Sequence, residues 1–235
     1  MHKTELNLPD NYTGEYFQVF PTTVGKFKVD SSVYTPVHNQ VRDAIYSHRE
    51  KIKSTLNYGD ASYKFNAKVH GDTSFYGPNL IDLPQFNVIG QYFYTSLKTY
   101  FIELCDNPFE IAFKNCWFTV YPEGHHIPRH SHPASQFSGV YYFDVTEESG
   151  DITFYDPISD FRVWYDEGAN PAAPFRPFSE IKIHPETGMF LVFPSWLPHS
   201  TLPNKSKRDR IIFSFNFDLW IQKPEHTNNG GLAQR

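Results

Sequence analysis

Residues 121–138 read YPEGHHIPRHSHPASQFS and hold four of the chain's eleven histidines: His125, His126, His130 and His132. Another, His199, stands far downstream in FPSWLPHS, and Arg210 opens the apolar run RIIFSFNFDL soon after it. In an extended strand, residues i and i+2 point the same way, so His130 and His132 can present two imidazoles to one metal ion from one side. The third donor must then come from a distant strand. His199 follows a β-prone run and a short turn, which lets it return across a sheet to meet the pair. A polar loop rich in histidine has the same composition without binding anything, so spacing alone leaves a metal site and a plain loop both open. His125 and His126 read as loop or supporting residues.

Arg210 carries the second chemical signal. An arginine in an apolar strand needs an anionic partner to offset its desolvation. Alternation puts Ile212, Ser214 and Asn216 on its face of the strand. A guanidinium with a hydroxyl nearby suits a carboxylate, because the planar fork can engage both oxygens. An internal salt bridge to Asp151, Asp156 or Asp209 would satisfy it equally.

These residues need a scaffold, and the pattern after Asn107-Pro108 is strand-like. Short β-prone runs at 114–121, 138–145, 151–156, 180–184, 189–194 and 210–219 are separated by turn residues, notably Glu148-Ser149-Gly150 and Pro185-Glu186-Thr187-Gly188. Regular short strands with such punctuation predict a sandwich or barrel of jelly-roll type. Before them, Val37, Val41, Ile45 and Ile52 mark an amphipathic helix from Pro36, with His38, Arg42, Arg49 and Lys53 mostly off the apolar face. A second helix begins near Pro84 and runs to about Cys105, with Phe86, Ile89, Phe93, Leu97, Tyr100, Phe101 and Leu104 recurring at helical spacing. Strand-like runs at 16–20 and 26–29 suggest an entry strand or hairpin, and 63–69 a further strand.

Aromatic residues supply 17% of the chain, with 22 Phe, 15 Tyr and 4 Trp, which favours pleated, ring-packed surfaces. A net charge of −5 gives no electrostatic case for binding a phosphate backbone, so nucleic acid is not an expected partner. The two cysteines, Cys105 and Cys116, make no disulfide framework, no apolar run is long enough to span a bilayer, and the N-terminus has no signal-like segment. A cytoplasmic protein with reduced thiols is the expectation.

The 235 residues read as one domain: 1–110 as N-terminal strands and supporting helices, 111–220 as the jelly-roll core, and 221–235 as a flexible tail. Within the core, 157–179 is an aromatic, proline-rich insertion that suits either a lid or a loop packed onto the barrel.

The succession YPEG, RHSHP, SGVYYFDV, GDITFYDP, GMFLVFPSWLPHS and RIIFSFNF, over about residues 113–219, resembles the iron(II)- and 2-oxoglutarate-dependent oxygenases of the prolyl-hydroxylase-like group. It is closer still to oxygenases of bacterial and phage type. The resemblance implies a mainly β protein: a double-stranded β-helix, jelly-roll or cupin-like, with N-terminal helices packed on one sheet. It places metal ligands at His130 and His199, the arginine that grips the far carboxylate of 2-oxoglutarate at Arg210, a hydroxyl beside it at Ser214, and supporting tyrosines at Tyr142 and Tyr121. One position departs from the pattern: the superfamily usually has a carboxylate where this chain has His132. Kept as a ligand, His132 leaves the metal one unit more positive than the usual triad. The alternative turns it away and leaves water or halide in its place.

The implied cofactors are Fe(II), 2-oxoglutarate and O2. The implied reaction is hydroxylation of an amino acid, peptide or protein side chain with release of succinate and CO2. The expected partners are therefore a small-molecule, peptide or protein substrate, with no nucleic acid, no membrane, and homodimerisation left open. The competing readings are a non-oxidative cupin-like metalloprotein, acting as an isomerase or small-acid binder, and a metal-free jelly-roll binding module.

Overall fold

The computed structural model describes residues 2–5, 15–18, 22–55, 71–132, 134–157 and 180–222. The strand expected at 63–69, nearly all of the 157–179 insertion and nearly all of the 221–235 tail lie outside these residues. Strands β1 (His2–Glu5) and β2 (Glu15–Gln18) form an antiparallel pair. β3 (Gly25–Lys28), helix α1 (Ser31–Thr55), β4 (Asp72–Thr73) and helix α2 (Asn87–Ile102) lead into β5 (Phe109–Tyr121). The remaining strands are β6 (Phe137–Asp144), β7 (Ile152–Tyr155), β8 (Glu180–Ile183), β9 (Met189–Pro194), β10 (His199–Thr201) and β11 (Arg210–Ile221).

A six-stranded sheet in the order β3-β9-β6-β11-β5-β4 faces a three-stranded sheet in the order β10-β7-β8, every pairing antiparallel. This is the expected mainly β jelly roll, with the helices against the larger sheet. Three short strands, β1, β4 and β10, are additions to the expected set.

Strand alternation divides the larger sheet into two chemistries. Along β11, Ile211, Phe213, Phe215 and Phe217 join the helix-facing core with Phe118, Tyr141, Phe143 and Phe190. Ile212, with Tyr121, Val140, Tyr142 and Leu191, belongs to a second core between the sheets. α2 covers the outer face because Ile89, Phe93, Leu97 and Phe101 recur every three or four residues and are all buried. Phe93 meets Phe213 and Phe215 at ring distances of 5.5 and 5.2 Å, and Phe101 meets Phe217 at 5.9 Å. Each such buried side chain contributes about 2 kcal/mol. Leu104, by contrast, is exposed, since the helix ends at Ile102 before the periodicity does.

α1 starts one turn earlier than its apolar pattern suggests. Asp30 caps it, its Oδ1 accepting from the Ser32 N–H at 2.8 Å. Pro36 therefore lies inside the helix. His38, expected off the apolar face, is buried, and its Nε2 meets the Tyr141 hydroxyl at 2.6 Å. Arg49 ties α1 to the sheet through Asp72, at 2.6 Å, and Asp209, at 3.0 Å. Cys105 and Cys116 are free thiols. Among the described residues no helix is long and apolar enough to cross a membrane.

Candidate metal centre

Backbone pairing assembles the histidines. His130 and His199 form an isolated antiparallel bridge in which each N–H donates to the other's carbonyl at 2.9 Å. Directly opposed residues in such a pair project to the same side, so the rings come to 4.3 Å. Further bonds stitch the loop to the chain around β10: Gly124 N–H to Asn204 O at 2.7 Å, Thr201 N–H to Ile127 O at 3.0 Å, and His132 N–H to Ser195 O at 2.8 Å.

The ligand atoms of His130, His132 and His199 all lie within 4.8 Å of one another. The cluster contains no carboxylate. Nδ1 of His130 donates to the Pro128 carbonyl and Nδ1 of His199 to the Leu197 carbonyl, both at 2.9 Å and both two residues back. A carbonyl can only accept, so each ring carries its proton on Nδ1 and leaves the Nε2 lone pair for a metal. Burial keeps the rings neutral: it lowers the pKa of His130, takes His132 to about 4 and takes His199 to about 3. His132 lies over Trp117, with ring centroids 5.8 Å apart.

The histidines line a cavity of about 190 Å³ between the two sheets. Tyr121, Tyr142, Thr201, Ile212, Ser214 and Asn216 also face it, as alternation along β5, β6, β10 and β11 requires. At its mouth Phe75 and Tyr76 are exposed, and Phe75 packs edge-on against Trp117 at 4.9 Å.

Arg210 is 1% exposed and sits directly across from Tyr121 in the β11–β5 register. Its guanidinium lies 4.2 Å from the Tyr121 ring centroid. Nη1 donates to the carbonyls of Ser149 and Leu202, and Nη2 to Thr201 Oγ1 at 3.0 Å and, more weakly, to the His125 carbonyl at 3.5 Å. Among the described residues Arg210 makes no ion pair. Asp151 pairs with His184 and Asp209 with Arg49, so neither supplies the salt bridge that the sequence left open. Among the described residues, two buried polar atoms here have no hydrogen-bond partner, Arg210 Nε and the Tyr142 hydroxyl. Burial raises the Tyr142 pKa, so the hydroxyl stays protonated and able to donate.

Of the seven site residues predicted, six line the cavity and Arg210 stands behind Tyr121 and Thr201, which do. No hydrogen bond joins Ser214 to Arg210. The hydroxyl on the guanidinium belongs to Thr201, a residue sequence reasoning passed over. It lies two places beyond His199 on the same face of β10, so period-two alternation carried the signal. His125 and His126 point no ring nitrogen into the cluster, although the His125 carbonyl reaches Arg210.

The jelly roll brings three imidazoles that could hold a metal ion to one cavity, with a buried arginine behind it that makes no ion pair among the described residues. Residues 115–216 match the family described as "Putative 2OG-Fe(II) oxygenase". Among solved structures, the chain resembles a prolyl hydroxylase from Trichoplax adhaerens, in complex with a peptide fragment of the oxygen degradation domain of hypoxia inducible factor. That likeness has 17% identity and a TM-score of 0.51, over 84% of this chain and 82% of that one. A Pseudomonas putida prolyl-4-hydroxylase aligns at 16% identity and TM-score 0.47, over 86% of this chain and 94% of that one. An oxidoreductase of the 2OG-Fe(II) oxygenase family from Burkholderia pseudomallei aligns at 16% identity and TM-score 0.44, over 60% of this chain and 61% of that one. Comparison with the curated proteins finds no match. The chain is thus similar over residues 115–216 to the iron(II)- and 2-oxoglutarate-dependent oxygenases, and it shares its fold with the Trichoplax prolyl hydroxylase.

Proposed function

We propose that this oxygenase hydroxylates an amino acid, peptide or protein side chain, consuming 2-oxoglutarate and O2 and releasing succinate and CO2. The observation that carries the reading is the convergence of His130, His132 and His199 on a cavity lined by Tyr142, with Arg210 behind Tyr121 and Thr201; among the described residues Tyr142 Oη and Arg210 Nε are buried without a partner. Three neutral nitrogen donors suit a borderline divalent ion such as Fe(II). A buried arginine with no carboxylate of its own, beside a buried hydroxyl that donates to nothing, suits the carboxylate of a diacid.

When bound, iron with 2-oxoglutarate supplies the oxidising chemistry for an unactivated C–H bond. The chain's own residues do the rest. Nδ1–H bonds to Pro128 and Leu197 hold the His130 and His199 rings in ligating orientation. Tyr142 and Arg210 would hold the distal carboxylate, Ser214 lines the same cavity, and the Tyr121 ring lies against the guanidinium. Ile127, Ile152, Phe193 and Ile212 exclude water from the cavity wall. Substrate enters past Phe75, Tyr76 and Trp117, against a wall with no charged side chain among the described residues. That wall favours an uncharged group at the reacting carbon.

The test is O2-dependent conversion of 2-oxoglutarate to succinate by Fe(II)-loaded protein, together with mass analysis of candidate amino acids and peptides for a gain of one oxygen. His130→Ala, His199→Ala and Arg210→Ala should each abolish turnover. Iron-loaded protein that failed to bind 2-oxoglutarate at millimolar concentration would end this reading.

A further inference from the structure

The cavity is short of negative charge. Its described lining holds no Asp or Glu, and its metal donors are three neutral imidazoles. Arg210 adds a buried cation that touches only carbonyls, a hydroxyl and an aromatic face. Among the described residues, Asp144 is paired with Arg42 and Arg208, Asp209 with Arg49 and Asp218 with Lys114, whereas Asp151 contacts His184 Nδ1 and its charge also acts on Tyr142.

A divalent metal on these donors would therefore bring two further positive charges into a dry site that already contains one. Among the described residues neither cation has a carboxylate lining the cavity beside it, and like charges in a low-dielectric space repel strongly. Thr201 links the two ends, since it lies two residues from His199 and accepts from the Arg210 guanidinium. One dianion that reaches both ends offsets two of the three charges. In a site with a carboxylate at position 132, the protein itself would supply one of those charges, and metal could bind tightly before the diacid arrived.

We infer that His132 makes metal and dicarboxylate binding mutually dependent: the diacid is the counter-ion of the metal site as well as its co-substrate, and each ligand is held weakly without the other. This rests on the proposed site, with His132 as a ligand and Arg210 facing the diacid. Linkage requires the dependence to be reciprocal.

The experiment titrates metal-stripped, full-length protein anaerobically with Mn(II), by calorimetry and by the loss of free-Mn(II) electron paramagnetic resonance signal. It is run alone, with saturating 2-oxoglutarate, and with saturating succinate, which carries both charges but no keto group. Wild type should bind Mn(II) about 100-fold more tightly with 2-oxoglutarate, at the upper end of ordinary coupling between sites, and succinate should produce part of that gain. His132→Asp should bind Mn(II) tightly by itself and keep at most about a tenfold response. His132→Asn, which removes a donor without adding charge, should bind more weakly but keep the large response.

Wild-type protein whose Mn(II) affinity changes less than fivefold with 2-oxoglutarate would overturn the inference without reference to any variant. So would a folded His132→Asp whose response equals that of wild type. Turnover is measured separately: coupled binding without succinate formation sinks the proposed reaction alone, and succinate formation by a protein that binds metal independently of the diacid sinks the coupling alone.

Discussion

Tyr142→Phe separates a hydroxyl awaiting a ligand from one that holds the fold. Tyr142 is 2% exposed and its hydroxyl has no partner among the described residues, so against these the folded protein bears the desolvation of that group without a compensating bond. A buried unsatisfied donor costs about 1–3 kcal/mol, and removing it with almost no change of shape returns part of that cost. The metal-free variant should be more stable than wild type by about 1 kcal/mol, or roughly 3 °C in Tm for a chain of this size.

The same deletion removes a donor from the diacid's carboxylate, and a hydrogen bond to a charged group is worth about 1.5–3 kcal/mol. Affinity for 2-oxoglutarate in the presence of Mn(II) should therefore fall at least tenfold. The assays are differential scanning calorimetry of the metal-free proteins and isothermal titration of 2-oxoglutarate into the Mn(II)-loaded ones. Opposite signs are the signature. A variant that loses stability by more than about 1 kcal/mol while binding 2-oxoglutarate normally would refute the reasoning and make Tyr142 a packing residue.

Arg210→Met should weaken 2-oxoglutarate binding by about 3 kcal/mol, more than a hundredfold, and chemical denaturation should show a loss of about 1–3 kcal/mol, because the carbonyls of Ser149 and Leu202 lose a donor. The pH dependence of unfolding should carry a His38 component: burial among Tyr34, Tyr141 and Phe143 lowers its pKa to about 4, against about 6.5 unfolded. The unfolded chain then binds the extra proton first, so this stabilisation is complete above pH 6.5 and is lost as pH falls towards 4. Its ceiling is about 3 kcal/mol, and urea titrations of wild type and His38→Gln across that window should differ in slope. Gly139→Ala should destabilise by about 1–3 kcal/mol, since a Cβ there would stand 2.2 Å from the Phe215 ring; an unchanged urea midpoint would show that the ring moves aside freely.

The chemistry of the site was legible because strand alternation is local. His130 and His132 share a side by two-residue spacing, and the face holding Ile212, Ser214 and Asn216 follows from the same rule. The identity of His199 as their partner was legible from its place after a buried strand, but the means of joining was not, since the His130–His199 bridge is a long-range backbone pairing. β10 is only three residues long and carries no apolar run, so its existence, and with it the role of Thr201, depended on tertiary pairing. His38 was misplaced because a polar ring on a helix counts against an apolar face, whereas here it is accommodated by one hydrogen bond to Tyr141 and contact with two rings. Ser214 was paired with Arg210 on strand periodicity and on the family resemblance, which give a shared face but not a distance.

The adjacent tyrosines of β6 make the chain unusually intolerant of length changes at one place. Tyr141 looks towards the helices and Tyr142 into the cavity. Inserting or deleting one residue between Ser138 and Tyr142 would exchange their sides, sending the ring that meets His38 into the co-substrate space and the hydroxyl meant for a carboxylate into the aromatic core. The turn at Glu147 and Glu148, a few residues on, imposes no such parity. Among natural variants of this chain, gaps should therefore collect at that turn and be missing from the five positions of β6 before it.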